Sequence, residues 1–195
     1  MRRLVTVSLV LMLATAALGL GGCSLFSHAD EDANALITSA NANLKKYQSS
    51  DEKVRGLAAQ LDELGITPAD AAKALEITAQ VKTELQVQKT ELQAASDKIA
   101  KIKALDVDDT FKKYADLEVA ALAAQEAVVD EGLKVYAEMD KLYTGLRDGT
   151  ADAKTTAELS ASIAAIAANI KTLSATATKA IGTANEYFNK TAPGQ

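Results

Sequence analysis

Cysteine and histidine, the side chains most often used as nucleophile, proton relay or soft metal ligand, are scarce in this 195-residue chain, and they sit close together. The only cysteine, Cys23, and the only histidine, His28, both lie near the start. A thiolate can attack an electrophile, ligate a metal or accept a covalent group, and an imidazole can relay a proton or ligate a metal. A lone histidine outside the long patterned segments leaves no Ser-His-Asp triad within a fold, no haem ligation by histidine and no paired Glu-x-x-His motif of the di-iron bundles. Carboxylates are abundant, but Glu84, Glu91, Glu126, Asp130, Glu131 and Glu138 fall on outward stripes. Others form favourable helical pairs, such as Asp97 with Lys101 and Asp130 with Lys134. No glycine-rich phosphate loop and no EF-hand pattern occurs in the chain. The expectation is therefore a protein without catalytic residues, metal site or cofactor.

The chemistry that remains belongs to Cys23. Arg2 and Arg3 precede an apolar run from Leu4 to Leu18, which leads into Leu20-Gly21-Gly22-Cys23. A run of about 15 residues suits the apolar region of a signal peptide and falls short of the roughly 20 needed to span a bilayer. The four residues ending at Cys23 resemble a bacterial lipobox, which places the chain among the bacterial lipoproteins. That resemblance implies cleavage between Gly22 and Cys23 by signal peptidase II after the thiol has received a diacylglyceryl group. Further acyl chains such as palmitate would complete the anchor. Each buried methylene adds about 0.8 kcal/mol, so two or three chains hold a protein to a membrane without spanning it. Ser24 in the next position resembles the signal for outer-membrane sorting in a diderm. In a monoderm the same lipid sits in the outer leaflet of the cytoplasmic membrane. The competing reading is ordinary cleavage after Ala17-Leu18-Gly19, which leaves Cys23 as a free thiol.

Composition characterises the chain beyond the anchor. With no tryptophan, two prolines and 4% aromatic residues, an alanine-rich chain of this kind is helical. Loss of residues 1–22 removes two of the 21 basic residues and none of the 26 acidic ones, leaving 19 against 26 and a net charge of −7. That balance disfavours nucleic acid, which requires a basic footprint. The chain divides into a signal peptide (1–22), a lipidated cysteine with a short tether that includes His28 (23–29), a helical domain (30–190) and a disordered tail (191–195).

Three breaks divide the helical domain. In Gly65-Ile66-Thr67-Pro68-Ala69-Asp70 the glycine suits a left-handed helix end, Thr67 an N-cap and Pro68 the first helical position. Asp108 caps a second restart. Asp148-Gly149 turns the chain a third time, with Thr150 or Asp152 as the new cap. Helices are predicted over 30–64, 68–105, 109–147 and 152–190. A capping box at Ser49-Ser50-Asp51-Glu52, followed by Gly56, suggests a kink or an interruption in the first. Seam residues, apolar apart from Gln88, recur at alternating spacings of three and four, as in Val81, Leu85, Gln88, Leu92, Ala95, Ile99 and in Leu159, Ile163, Ile166, Ile170, Leu173. Short connections force antiparallel neighbours. The fold expected is all-α: an antiparallel up-down-up-down bundle of four long helices with coiled-coil-like packing.

That topology brings particular residues together. Reflection through the turn at Gly149 sets Phe111 opposite Phe188, with Tyr114 and Tyr187 beside them, at the end joined to the lipid. Lys98, Lys101, Lys103, Lys112, Lys113 and Lys190 gather at the same end and could favour anionic headgroups, although Asp106, Asp108 and Asp109 dilute that patch and the helix dipole already accounts for lysines at the end of the second helix. Reflection of the second helix onto the third sets Gln88 opposite Gln125, two seam amides able to satisfy each other and fix register. Between Leu159 and Gly182 the only charges are Lys171 and Lys179, and outward positions such as Ala165 and Thr176 are small or uncharged. Such a face suits a partner protein or a second copy, although alanine and serine also fill ordinary helix surfaces. Two functions are expected from these features: an envelope lipoprotein acting as a structural or protein-interaction module, or a bundle that holds an apolar ligand such as a lipid in space left by Gly132 and the alanines.

Overall fold

A computed structural model describes residues 28–191. The described chain is four long helices: α1 (His28–Asp62), α2 (Pro68–Lys101), α3 (Asp109–Arg147) and α4 (Ala153–Thr191), with a 3₁₀ turn (Ile102–Ala104) closing α2. At 1.5 Å per residue each helix is about 50–60 Å long. There is no strand among the described residues, so the expected all-α four-helix architecture is what the chain adopts.

Capping chemistry sets the boundaries. The Thr67 hydroxyl donates to Asp70 Oδ2 (2.6 Å) and accepts from the Asp70 amide (3.3 Å), while the Gly65 N–H donates to the same Oδ2 (3.2 Å). This reciprocal box satisfies otherwise orphaned amides, with Pro68 at a position that needs no donor. Gly65 is not left-handed, contrary to expectation. Its missing Cβ is needed for space, since a carbon there would stand 2.9 Å from Asp70 Oδ2. Asp108 accepts from the Thr110 amide (2.7 Å), and Asp152, not Thr150, caps α4 through the Thr155 amide (2.7 Å). Gly149 supplies the left-handed residue of the last turn, at φ +68°.

Two boundary expectations change. α1 begins at His28, so that residue is helical and not part of a tether, and α1 runs unbroken through Ser49 to Glu52. The capping groups are diverted: the Ser50 hydroxyl donates to the Glu84 carbonyl on α2 (2.8 Å), and buried Asp51 accepts from Arg55 one turn on (2.8 Å). Tertiary partners outcompete the local cap. The signal peptide, Gly22, Cys23 and residues 192–195 lie outside the described residues.

Neighbouring helices are antiparallel, as the cross-links show. Ser50 meets Glu84 and Lys46 meets Glu91 between α1 and α2. Lys82 meets Asp140, Lys89 meets Asp130 (2.7 Å) and Lys103 of the 3₁₀ turn meets Asp116 (2.6 Å) toward α3. Close packing runs along α1 with α2, α2 with α3 and α3 with α4, whereas nothing comparable joins α4 to α1 or α2. The bundle therefore has an open side, and α4 shows it. Ile163, Ile170, Ala177, Ile181 and Ala184 are buried, but Leu159, Ile166, Leu173 and Tyr187, expected on the same buried seam, are only half-buried.

Candidate functional site

The interior seams carry an unusual number of polar side chains. Gln125 of α3 and Tyr47 of α1, both buried, are joined by a hydrogen bond in which the Gln125 amide donates to the tyrosine hydroxyl (2.7 Å). Gln88 of α2 is fully buried, and neither end of its amide has a protein partner. The expected Gln88–Gln125 pair is not formed. Lys89 reaches Asp130, and Gln93 reaches Glu126 (2.5 Å), so the part of α3 opposite Gln88 is about six residues beyond Gln125. That offset is roughly 9 Å along a helix. The reason lies in the α2–α3 connection, where the 3₁₀ turn and the extended residues after it displace the start of α3 from the position a tight hairpin would give. Ser50 and Lys46 flank α2 on either side of Gln88, which places Tyr47 near its level, and the long phenol reaches the amide that Gln88 does not.

Lower in the bundle, toward the end where α1 starts and α4 finishes, Glu118 is 1% exposed and neither carboxyl oxygen has a hydrogen-bond partner. Desolvation raises its pKa from the ordinary 4.5 to about 7. One turn earlier on α3, the buried Tyr114 hydroxyl also lacks a partner, and burial together with the charge of Glu118 raises its pKa. The Tyr114 ring packs on Phe188 of α4, centroids 5.3 Å apart and planes tilted by 50°. The expected aromatic end is present, with Tyr114 as the ring on Phe188. Asp51, at its own level of α1, is also raised by desolvation, which the neighbouring Arg55 guanidinium opposes.

The heptad carries a signal for Glu118 and Asp51 that assigning carboxylates to solvent by default hides. Glu118 is four residues after Tyr114 and three before Ala121, and Asp51 is four after Tyr47 and three before Val54. An acid at a seam spacing is that signal.

The lysines at this end are largely engaged within the molecule. Lys98 donates to the Ser39 carbonyl (3.1 Å) and to Asn43 Oδ1, Lys103 pairs with Asp116, and Lys190 with Glu186 (2.5 Å). On α4, Ala165, Lys171, Thr176 and Lys179 are all exposed. The threonines of this surface turn inward to their own helix: Thr172, Thr176 and Thr178 donate to carbonyls four residues back (3.3, 3.1 and 2.8 Å). Their methyl groups are thus left as the outward surface. Gly132, the expected source of interior space, is buried among seam residues that include Val128, Val129, Val135 and Tyr136.

No group of histidine, cysteine or acidic residues suited to a metal occurs among the described residues, and no described helix is long and apolar enough to cross a membrane. No protein-family model matches the chain, nor does any curated protein or solved structure.

Proposed function

We propose that this chain is a lipid-anchored lipoprotein of the bacterial cell envelope, held to a membrane through Cys23, whose helical rod serves as a structural or protein-interaction module. The observation that carries the proposal is Leu20-Gly21-Gly22-Cys23 at the end of an apolar run headed by Arg2 and Arg3. The rod supplies the rest: helices about 50–60 Å long, cross-tied by ion pairs, with an exposed face of alanine, threonine and two lysines on α4 that offers uncharged area to another protein. The membrane is the outer membrane, on its periplasmic face, in a diderm, and the cytoplasmic membrane, in its outer leaflet, in a monoderm.

The test is chemical. Intact mass of the native protein should show a chain beginning at an acylated Cys23, and Cys23→Ala should release the protein from the membrane fraction. An unmodified Cys23 overturns the proposal. A tagged, lipidated copy recovered from native envelopes should bring a reproducible protein partner or a second copy. A stoichiometric lipid held by the bundle in place of either would identify a ligand carrier.

A further inference from the structure

The face of α3 that carries Tyr114, Glu118 and Gln125 looks into the bundle, where it meets Phe188 of α4 at one point and Tyr47 of α1 at another. Glu118 sits between those contacts with both carboxyl oxygens unpartnered. A protonated carboxyl tolerates that site, whereas a carboxylate there must attract water or move. We propose that Glu118 is a proton-controlled latch: neutral, it lets the lower half of α4 close on α3, and ionised, it frees that half of α4 from the bundle.

Charged groups on the segments around this end do not relieve the carboxylate. On α3 the nearest titratable group is Tyr114, which is uncharged, and Asp116 is paired with Lys103 of the 3₁₀ turn. On α2, Lys98 is engaged by Ser39 and Asn43, and Lys101 is exposed. On α4, Glu186 and Lys190 pair with each other on the surface, and on α1 Glu31 and Asp32 are exposed. Burial is the sole cause of the displaced titration.

Why α4 should be the part that yields is explained by the packing. α1, α2 and α3 are tied to one another by Tyr47–Gln125, Ser50–Glu84, Lys89–Asp130 and Lys103–Asp116. α4 packs closely along α3 alone, as α1 does along α2, but of its residues only Ile163, Ile170, Ala177, Ile181 and Ala184 are buried. Below pH about 4.5 both folded and unfolded chains carry the proton. As pH rises the unfolded chain ionises first, so the stability contributed by neutral Glu118 declines until pH passes about 7 and levels off beyond.

The experiment is hydrogen exchange of the mature protein at pH 5.5 and 8.5, corrected for intrinsic exchange, compared between residues 177–191 and 153–165. The lower segment should exchange at least about tenfold faster at the higher pH, the ratio that one unit of pKa displacement represents. The upper segment should stay constant, and Glu118→Gln should abolish the difference. The same pH response in Glu118→Gln, or none in the native chain, overturns the proposal. Should that variant not fold, carbon NMR of the native protein decides. A Glu118 carboxyl titrating near neutrality together with the Phe188 ring signals supports the latch, and titration in the ordinary carboxylate range, or ring signals that do not move with it, overturns it.

Discussion

Tyr47 holds a satisfied polar contact between two helices, because its hydroxyl accepts from the Gln125 amide and both side chains are buried. Gln88 and Glu118 are buried just as deeply, yet their polar atoms have no protein partner. Removing the hydroxyl by Tyr47→Phe leaves the Gln125 amide stranded while the ring still fills its space. The variant should lose about 1–3 kcal/mol, the usual penalty for a buried donor without an acceptor. Urea denaturation at constant pH measures it, and an unchanged midpoint with an unchanged slope would show that Gln125 rotates to other company. Ionisation of Tyr47 does not intrude, since burial and the nearby Asp51 charge both push its pKa up.

At the level of the helix, α2 and α4 are built from similar spacings and behave differently. Leu92 of α2 is 1% exposed and flanked by α1 and α3, whereas Ile166 of α4 is half-buried beside the open side of the bundle. An aspartate at Leu92 has no route to water and no partner, which costs several kcal/mol and consumes much of a total stability of about 5–15 kcal/mol. At Ile166 the same charge turns outward, and the loss is limited to part of the roughly 1.5–3 kcal/mol that a fully buried isoleucine contributes. Leu92→Asp should therefore abolish cooperative melting, and Ile166→Asp should lower the melting temperature while keeping a single transition. Circular dichroism on both variants checks this. Equal damage would mean that α4 is enclosed on its open side as well.

For the molecule as a whole, an asymmetric bundle sets apart a well-tied trio, α1 to α3, from a fourth helix that offers its outer surface. Ala165→Glu and Thr176→Glu place charge on exposed positions of that surface. Surface changes away from special features alter stability by less than about 0.5 kcal/mol, so melting should be preserved. Association in native envelopes should be lost, because a carboxylate buried at an interface without a partner is strongly unfavourable. Preserved association would remove this face from consideration.

The sequence by itself determined the helices, because their signals are local. Thr67, Pro68, Asp70, Asp108 and Gly149 act on atoms within a few residues, and the three-four spacing of apolar residues reflects the helical period. Antiparallel order was determined too, since short connections leave no other arrangement. Register between α2 and α3 was not, because a 3₁₀ turn and a few extended residues shift one seam against the other by more than a turn and no local rule prescribes the shift. For the same reason Gln125 found Tyr47, a residue on a different helix, and Ser50 gave up its cap for a carbonyl on α2. Only the tertiary structure decided that α4 packs on α3 alone, and that Glu118, one acid among 26 in the sequence, is cut off from water. Spacing says which residues share a face, but burial depends on how many neighbours cover that face.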